Sequence, residues 1–455
     1  MAMTRKIDCE WTEIESLGPA KIDSPLLVHY QPGEDETECS GVFVEESCRS
    51  IIDVALDSFL KHCQTRKPPL SFEAAGPRRK IYFDPVKVKA AVLTAGGLCP
   101  GLNDVIRSIT LTLHFLYGVR NIFGVRHGYQ GLIPRFGHSL VELSPEVVSD
   151  IHEFGGSVLS SSRGLYSVEE IVDSLERLNI SMLFTIGGDG TLRGAHLVAE
   201  EIKKRGLKIA LVGVPKTIDN DINLVSRSFG FETAVDTAAK VIRSAHTEAL
   251  GAPNGLGVVK LMGRESGFIS ATAALAQGEA NFVLIPESDF DLDGQGGLLE
   301  ALEERLGKRG HAVIVVAEGA GQKFFDDRPE AYDPSGNRRL GDIGVYLCDR
   351  IKEHFKKKDL EINLKYMDPS YLIRSQPANA SDRVYCGFLG QKAVHAAMAG
   401  KTDLLIGQWN NTYVHVPIPA AVASRKKVKL GGVLWRSVIE ATGQPPLRAR
   451  KAKTT

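Results

Sequence analysis

Short apolar runs alternate with amphipathic stretches along the chain from about residue 86 to about residue 230. Uninterrupted apolar runs of this length are typical of buried strands. Between them, apolar residues repeat at helical spacing, as do Ile106, Ile109 and Leu113. Strands that alternate with helices favour right-handed βαβ units and a largely parallel sheet. The pattern predicts strands at 90–94, 121–125, 181–186 and 209–214, and helices at 103–116, 168–178 and 193–205.

A second alternating series begins near Phe231, and 455 residues are too many for one ordinary core, so we predict two α/β domains. This series predicts helices at 233–249 and 268–276 and strands at 256–261, 282–285 and 312–317. The other segments are less regular. They predict an N-terminal extension at 1–86 with one amphipathic helix at 50–60, an exposed loop at 322–339, and a basic tail at 448–455.

Glycines and acidic residues follow two of the predicted strands. The segment Gly187-Gly188-Asp189-Gly190-Thr191 follows one, and Pro215-Lys216-Thr217-Ile218-Asp219-Asn220-Asp221 follows the other. Ligands of parallel sheets bind at the carboxyl ends of the strands, and glycines let a polyphosphate approach backbone N–H groups. Taken singly, each segment also fits a tight turn or a solvated helix cap. Together at strand ends they indicate a phosphoryl transferase.

Composition narrows the class of protein. Lys+Arg and Asp+Glu both number 55, and the resulting formal net charge of +0 argues against a partner such as nucleic acid or a membrane surface. No apolar stretch approaches the roughly 18 residues of a membrane span, and no apolar signal core is evident. The cysteines are scattered without a Cys-x-x-Cys pair, which favours free thiols in a reducing compartment.

Four ordered motifs resemble those of the 6-phosphofructokinase family. They are Thr94-Ala95-Gly96-Gly97-Leu98-Cys99-Pro100-Gly101-Leu102-Asn103, the two strand-end segments above, and Leu261-Met262-Gly263-Arg264-Glu265-Ser266-Gly267. The resemblance runs from about Lys89 to about Gln444 and is closest to the long ATP-dependent enzymes of plants and trypanosomatids. It implies two Rossmann-like three-layer αβα domains with largely parallel sheets and an active site in the interdomain cleft. The implied organisation is an ATP-binding domain at 87–230 plus about 375–425, a sugar-phosphate-binding domain at 231–374, and a C-terminal segment at 426–455.

The resemblance also implies a reaction, in which the γ-phosphoryl group of MgATP is transferred to the 1-hydroxyl of fructose 6-phosphate to give fructose 1,6-bisphosphate and ADP. Asp219 matches the family's catalytic base, and Thr217 and Asp221 match residues that orient the base and the transferring phosphate. Asp189 matches the ligand of Mg²⁺. The positions that match the family's ATP phosphate contacts are Gly97, Arg163, Gly188, Gly190 and Thr191.

The sugar phosphate requires cations and a surface for its hydroxyls. The turn of Met262, Gly263 and Arg264 matches the family's sugar-binding turn, with Arg264 placed to neutralise charge during transfer. Glu318 matches an acid that binds sugar hydroxyls, and Lys365, Tyr371 and Arg374 match the cradle of the 6-phosphate. Tyr371 stands where short bacterial members have histidine, and either ring can donate a hydrogen bond. Without the resemblance, Arg163 and Glu318 would also fit solvated surface charges.

Two departures from the bacterial pattern affect the interpretation. The bacterial enzymes supply an arginine from a neighbouring subunit on the strand before Met-Gly-Arg, but this chain has Asn254-Gly255-Leu256-Gly257-Val258-Val259-Lys260 there. Lys216 is the second departure, because bacterial ATP enzymes have glycine and pyrophosphate-dependent relatives have lysine. Gly190 leaves room for the α-phosphate and nucleoside, where pyrophosphate-using relatives have aspartate. Glycine therefore favours ATP, and we interpret Lys216 as an added phosphate contact.

Two alternatives remain open at this stage. One is a pyrophosphate-dependent fructose-6-phosphate 1-phosphotransferase, and the other is a non-catalytic regulatory subunit. The second is disfavoured because the residues expected for catalysis are all present, namely Asp189, Thr217, Asp219, Asp221 and Arg264. The resemblance further implies an allosteric homotetramer in the cytoplasm, with the plastid as the alternative if a transit peptide has been removed. The sites of effectors are not visible in the sequence.

Overall fold

The computed structural model describes residues 9–28, 42–65, 68–164, 166–326, 331–332 and 338–448. These residues form two compact units. The first consists of the described parts of Met1–Thr217, together with Ile222–Phe229 and Pro377–Arg425. The second consists of Ile218–Asp221 and the described parts of Gly230–Gln376 and Lys426–Thr455. The N-terminal segment is therefore grouped with the first unit, and the C-terminal segment with the second.

Strands and α-helices alternate through most of the described chain. The strands are β1 (Glu15–Ser16), β2 (Ile22–Asp23), β3 (Arg49–Ile51), β4 (Ser71–Ala74), β5 (Lys80–Ile81), β6 (Lys89–Thr94), β7 (Asn121–Val125), β8 (Val141–Glu142), β9 (Met182–Gly187), β10 (Ala210–Pro215), β11 (Gly255–Leu261), β12 (Phe282–Leu284), β13 (His311–Ala317), β14 (Asn363–Met367), β15 (Lys401–Thr402), β16 (Leu404–Trp409) and β17 (Thr412–Pro417). The α-helices are α1 (Leu56–Thr65), α2 (Leu102–Leu111), α3 (Val168–Arg177), α4 (Asp189–Lys204), α5 (Phe231–Leu250), α6 (Phe268–Gln277), α7 (Leu298–Arg309), α8 (Ile343–Lys357), α9 (Ala380–Met398), α10 (Ile418–Val422) and α11 (Val433–Thr442).

A nine-stranded sheet forms the centre of the first unit, in the order β3-β4-β17-β16-β10-β9-β6-β7-β8. The strands from β16 to β7 in this order run parallel. The strands at both edges are antiparallel to their neighbours. Every residue of β9 and β10 is buried. Because successive side chains point to opposite faces, both faces of the sheet must be covered, as expected for a parallel α/β sheet.

The second unit has a four-stranded sheet in the order β12-β13-β11-β14, and all of its strands are parallel. Its core includes Leu299 and Leu302 of α7 and Leu347 and Ile351 of α8, which pack with the apolar residues of β13. The predicted fold class is confirmed, because both units are Rossmann-like α/β structures with largely parallel sheets.

The predicted helix at 50–60 is wrong in its first half. Arg49–Ile51 is strand β3, and α1 begins only at Leu56. Asp53 accepts hydrogen bonds from the backbone N–H of Ala55 at 3.0 Å and from the Ser58 hydroxyl at 2.7 Å. Local bonds of this kind favour a helix start over a helix interior, which explains why the apolar spacing alone was misleading.

Two other predicted helices exist with different ends. The helix predicted at 103–116 consists of α2 followed by the π-helical segment Thr112–Leu116. The helix predicted at 193–205 begins earlier, because α4 starts at Asp189. Gly206, just beyond α4, has a φ of 69°. The glycine-rich segment at 187–191 is therefore divided between two elements. Gly187 is the last residue of β9, and Asp189 is the first residue of α4.

Some predictions concern segments that are described only in part. Within the loop predicted at 322–339, Gln322–Phe325 forms a short 3-10 helix, and the positions 327–330 and 333–337 lie outside the described residues. The tail predicted at 448–455 also lies outside them from residue 449. In the ranges that are described, no helix has the length and apolar character needed to cross a bilayer.

Among the described residues, the prediction of free thiols is right for four cysteines and wrong for Cys48. Cys63, Cys99, Cys348 and Cys386 are free. Cys48 is disulfide-bonded. Sequence spacing could not reveal this bond, because a disulfide depends on which cysteines the fold brings within bonding distance.

Candidate active site

Three neighbouring strands of the first unit end at one edge of its sheet. At the ends of β6, β9 and β10, Thr94 lies beside Ile186 and Gly187 lies beside Pro215. The Lys216 backbone N–H donates to the Gly187 carbonyl at 2.9 Å, which extends the pairing beyond the strands. The loops that carry the predicted phosphate contacts therefore start side by side, as the parallel pattern requires.

The glycines at the end of β9 and at the start of α4 differ in how much space surrounds them. A Cβ on Gly187 would lie 2.3 Å from Cβ of Thr191, and one on Gly188 would lie 3.2 Å from the carbonyl oxygen of Lys216. A side chain at Gly187 would overlap Thr191, and one at Gly188 would crowd a backbone oxygen. Gly190 is different, because a Cβ there would meet no atom within 4 Å. The fold does not require glycine at residue 190, so its small size is available for a ligand.

Asp189 is the first residue of α4, and its side chain is 20% exposed. Its Oδ2 lies 3.2 Å from Nη2 of Arg193 and 3.7 Å from Nη2 of Arg425. A partly exposed carboxylate beside the glycines that are predicted to bind phosphate fits Mg²⁺, which proteins usually hold through one or two carboxylates and substrate phosphates. Within the described residues, no three His, Cys, Asp or Glu side chains converge as metal ligands. A magnesium ion at Asp189 would therefore need oxygen ligands from a nucleotide or water.

The loop after β6 is held by hydrogen bonds to its backbone. Gly96 has a φ of 88°, its N–H donates to the Ser162 carbonyl at 3.1 Å, and its carbonyl accepts from the Ser161 hydroxyl at 2.6 Å. The ammonium of buried Lys216 donates to the Gly97 carbonyl at 2.6 Å. Arg163, which follows the two serines, is exposed. Lys216 and the serines that precede Arg163 therefore both contact the loop that contains Gly96 and Gly97.

The chain passes from the first to the second unit between Thr217 and Ile218. The Thr217 carbonyl accepts from the Ser228 hydroxyl at 2.7 Å in the first unit. In the second unit, the Asp219 carbonyl accepts from the Ser266 hydroxyl at 3.1 Å. Lys426, a residue that sequence reasoning missed, donates to the Asn220 side chain of the same turn at 3.0 Å. No motif surrounds Lys426, so no local signal marked it.

A second turn of this unit follows β11. Gly263 and Arg264 have φ values of 143° and 47°, and the Gly263 carbonyl accepts from the Ser266 backbone N–H at 2.8 Å. The Arg264 backbone N–H donates to Oε1 of Glu318 at 3.0 Å. The structure therefore brings Arg264 and Glu318 together, although one follows β11 and the other follows β13. Their strands are parallel neighbours, so both residues leave the same edge of the sheet.

The segment predicted to cradle a phosphate begins on β14 and continues into a turn. Lys365 is an exposed residue of β14, and Tyr371 is 73% exposed. The Arg374 guanidinium carbon lies 5.0 Å from the centre of the Tyr371 ring, which is within cation–π range. At the start of the turn, Nζ of Lys260 lies 2.8 Å from Oδ2 of Asp368. Lys260 thus anchors the turn that carries the predicted phosphate contacts.

The chain is similar over most of its length to phosphofructokinases. The family model described as phosphofructokinase matches residues 89–397. A curated relative from Borreliella burgdorferi, named ATP-dependent 6-phosphofructokinase, is 53% identical over 439 residues, which cover 95% of this chain and 96% of the relative. A relative from Arabidopsis thaliana, named ATP-dependent 6-phosphofructokinase 5, chloroplastic, is 51% identical over 373 residues, covering 82% of this chain and 68% of the relative.

A solved structure supports the fold. A pyrophosphate-dependent phosphofructokinase from Nitrosospira multiformis superposes with a TM-score of 0.65 at 19% identity, covering 80% of this chain and 93% of that one. At this identity the likeness concerns the fold and not the phosphoryl donor. The family model and the curated relatives extend over most of the sequence, and on these grounds the chain belongs to the phosphofructokinase family.

Proposed function

We propose that this chain is an ATP-dependent 6-phosphofructokinase, which converts fructose 6-phosphate and ATP into fructose 1,6-bisphosphate and ADP. The observation that carries the choice of ATP is the open space beside Gly190, where no atom lies within 4 Å of an added Cβ. The names of the relatives with 53% and 51% identity support the same donor. Kinase and transferase activity in glycolysis follows from this reaction.

On the donor side, we assign the ATP phosphates to the first unit. The backbone N–H groups around Gly97, Gly188, Gly190 and Thr191 lie at strand ends and at the start of α4, where the helix dipole favours an anion. Arg163 contributes an exposed guanidinium. Lys216 already donates to the Gly97 carbonyl, so its contribution is to brace the phosphate loop as well as to supply positive charge.

Asp189 is the proposed ligand of Mg²⁺, which would neutralise charge on the bound phosphates. Arg193 and Arg425 contact the same carboxylate at 3.2 Å and 3.7 Å. Both arginines orient the Asp189 carboxylate, since each ion pair restricts its rotation.

On the acceptor side, Asp219 is the proposed base. Its carboxylate takes the proton of the sugar 1-hydroxyl while that oxygen forms a bond to the γ-phosphorus and the bond between phosphorus and ADP breaks. Thr217 and Asp221 orient the reacting groups, and Arg264 stabilises the charge on the transferring phosphoryl group. The other proposed contacts of the sugar phosphate are Met262, Gly263, Glu318, Lys365, Tyr371 and Arg374.

We also propose the domain boundaries, the oligomeric state and the cellular location of the enzyme. Residues 87–230 with about 375–425 form the ATP-binding domain, and 231–374 form the sugar-phosphate-binding domain, flanked by the segments 1–86 and 426–455. We expect an allosteric homotetramer in the cytoplasm, with the plastid as the alternative location. Sedimentation of the purified chain tests the tetramer.

A pyrophosphate-dependent phosphotransferase is the second candidate, and Lys216 is the observation that favours it. Turnover of fructose 6-phosphate with magnesium and either ATP or pyrophosphate decides between the donors. We expect turnover with ATP alone. Turnover with pyrophosphate would assign donor choice to Lys216, and no turnover with either donor would support a regulatory subunit.

A further inference from the structure

The turn that carries the proposed base accepts hydrogen bonds from other segments of the second unit. The Ser266 hydroxyl donates to the Asp219 carbonyl at 3.1 Å. The Lys426 ammonium donates to Oδ1 of Asn220 at 3.0 Å, and the Lys426 backbone N–H donates to the Asp221 carbonyl at 2.8 Å. Lys426 therefore contacts two residues of the turn, Asn220 through its side chain and Asp221 through its backbone.

The middle residue of this turn has a demanding backbone conformation. Asn220 has a φ of 54°, in the left-handed region that asparagine tolerates better than most residues, and it is 8% exposed. A left-handed residue places its two neighbours in directions that an ordinary extended or helical residue would not allow. The side-chain bond from Lys426 thus stabilises the conformation that sets where Asp219 and Asp221 point.

The surroundings of Lys426 restrict its side chain. The ammonium lies 5.2 Å from the centre of the Phe268 ring on α6, within cation–π range. Further along the same segment, the Val428 backbone N–H donates to Oε1 of Glu287 at 2.8 Å, and this oxygen also accepts from the Gly267 N–H at 3.1 Å. The segment that delivers Lys426 is therefore tied to the start of α6, which follows the Met262–Arg264 turn.

We propose that Lys426 is a positioning residue for phosphoryl transfer, whose ammonium and backbone N–H hold the Asp219–Asn220–Asp221 turn in the conformation in which Asp219 accepts the sugar proton. The inference rests on the proposed function, because it assigns Asp219 the role of base. Lys426 itself acts through Asn220 and Asp221.

The protonation of Lys426 provides a readout that a purely structural role would lack. Burial lowers the pKa of Lys426 to about 8, and the charge of Asp221 opposes this decrease. Asp221 is the charged group that faces the ammonium, and Asn220 and Phe268 are its uncharged neighbours. A lysine with a lowered pKa is charged below that value and neutral above it. The charge-assisted bond to Asn220 is therefore weakened as the pH rises through about 8.

The test compares the full-length wild type with Lys426→Met, Lys426→Arg and the matched control Lys427→Met, which removes an exposed lysine from the same segment. Steady-state kcat and both KM values are measured with fructose 6-phosphate and MgATP from about pH 7 to about pH 9.5, because a pH profile reports groups that control turnover. Thermal unfolding and circular dichroism check that each variant is folded.

We expect Lys426→Met to lower kcat by roughly tenfold to a hundredfold, the scale of a displaced catalytic group, with little change in either KM. The kcat of the wild type should decline above about pH 8, and Lys426→Arg should move that decline to higher pH because arginine remains charged. Lys427→Met should behave as the wild type does.

Normal kcat in folded Lys426→Met would overturn the inference. A pH profile of kcat in Lys426→Arg that is not shifted from that of the wild type would also overturn it. If Lys426→Met does not fold, the wild-type profile decides, and a kcat that stays constant to about pH 9.5 overturns the inference. A wild type that does not phosphorylate fructose 6-phosphate at all refutes the proposed function instead.

Discussion

Gly190 offers the sharpest test of donor choice, because the fold does not need glycine there. It is the second residue of α4, it is exposed, and an added Cβ would have no atom within 4 Å. We therefore expect Gly190→Asp to fold normally. A carboxylate in the first turn of a helix is stabilising by about 0.3–1 kcal/mol, and replacing a helical glycine also favours the helix.

The expected effect on ATP follows from charge. Two unit charges about 4 Å apart repel by about 1 kcal/mol in water and about 4 kcal/mol at an effective dielectric constant of 20. A difference of about 1.4 kcal/mol in transition-state stabilisation is tenfold in rate. Because residue 190 is exposed, we take the lower part of this range and expect kcat/KM for ATP to fall roughly tenfold or more.

The assay is coupled turnover with varied ATP at saturating fructose 6-phosphate and magnesium. Gly190→Ala adds only a Cβ and should retain activity if the space beyond Cβ accommodates the nucleotide. Gly190→Asn is a control for charge, because asparagine matches aspartate in size but is neutral. An unchanged kcat/KM for ATP in folded Gly190→Asp would refute the reasoning. Equal losses in the Asp and Asn variants would show that size, not charge, selects the donor.

The remaining predictions concern the base, the fold and pH. Asp219→Ser should retain binding of both substrates, measured by calorimetry, but lose most turnover; unchanged turnover would remove Asp219 from the mechanism. Gly187→Ala should lower the free energy of unfolding by about 1–3 kcal/mol in urea titrations, because the new Cβ would lie 2.3 Å from the Thr191 side chain; stability equal to that of Gly190→Ala would contradict this. Burial raises the pKa of Asp403 to about 7, while the nearby His196 opposes the increase. The folded state thus keeps this proton up to a higher pH than the unfolded state does. The free energy of unfolding therefore decreases as the pH rises from about 4 to about 7. The melting temperature of Asp403→Asn should fall less between these pH values than that of the wild type, and parallel curves would argue against it.

The order of strands and helices was predictable because burial leaves a local signature. The strands at 90–94, 121–125, 181–186 and 209–214 are β6, β7, β9 and β10 with ends shifted by at most one residue. Most of their residues are apolar because both faces of the parallel sheet are covered. The helix predicted at 50–60 failed where Asp53 makes local hydrogen bonds that compete with helix formation.

The start of α4 was missed for a related reason. Glycine has a low helix propensity, so Gly188-Asp189-Gly190 suggests a loop. The structure nevertheless begins α4 at Asp189, where Leu192 and Ala195 pack into the core and make tertiary burial outweigh propensity. As a result, Asp189 lies at a helix N-terminus, with the helix dipole directed at any phosphate bound there.

Contacts between residues that are distant in sequence could not be predicted. Arg425 contacts Asp189, and Lys426 contacts the turn of Asp219 to Asp221, yet neither belongs to a motif. Their roles depend on which segments the folded chain brings together.

The sequence by itself determined the α/β class, the largely parallel character of the sheets and the motif residues at strand ends, because periodicity and glycine placement are local consequences of burial and backbone geometry. Only the tertiary structure decided that a side chain at Gly187 would overlap a close neighbour whereas one at Gly190 would not. It also decided that Lys216 donates to the Gly97 carbonyl and that Lys426 donates to Asn220, next to Asp219. Hydrogen bonds and ion pairs act over a few ångström in space, and the distance between two residues along the chain does not specify their distance in the fold.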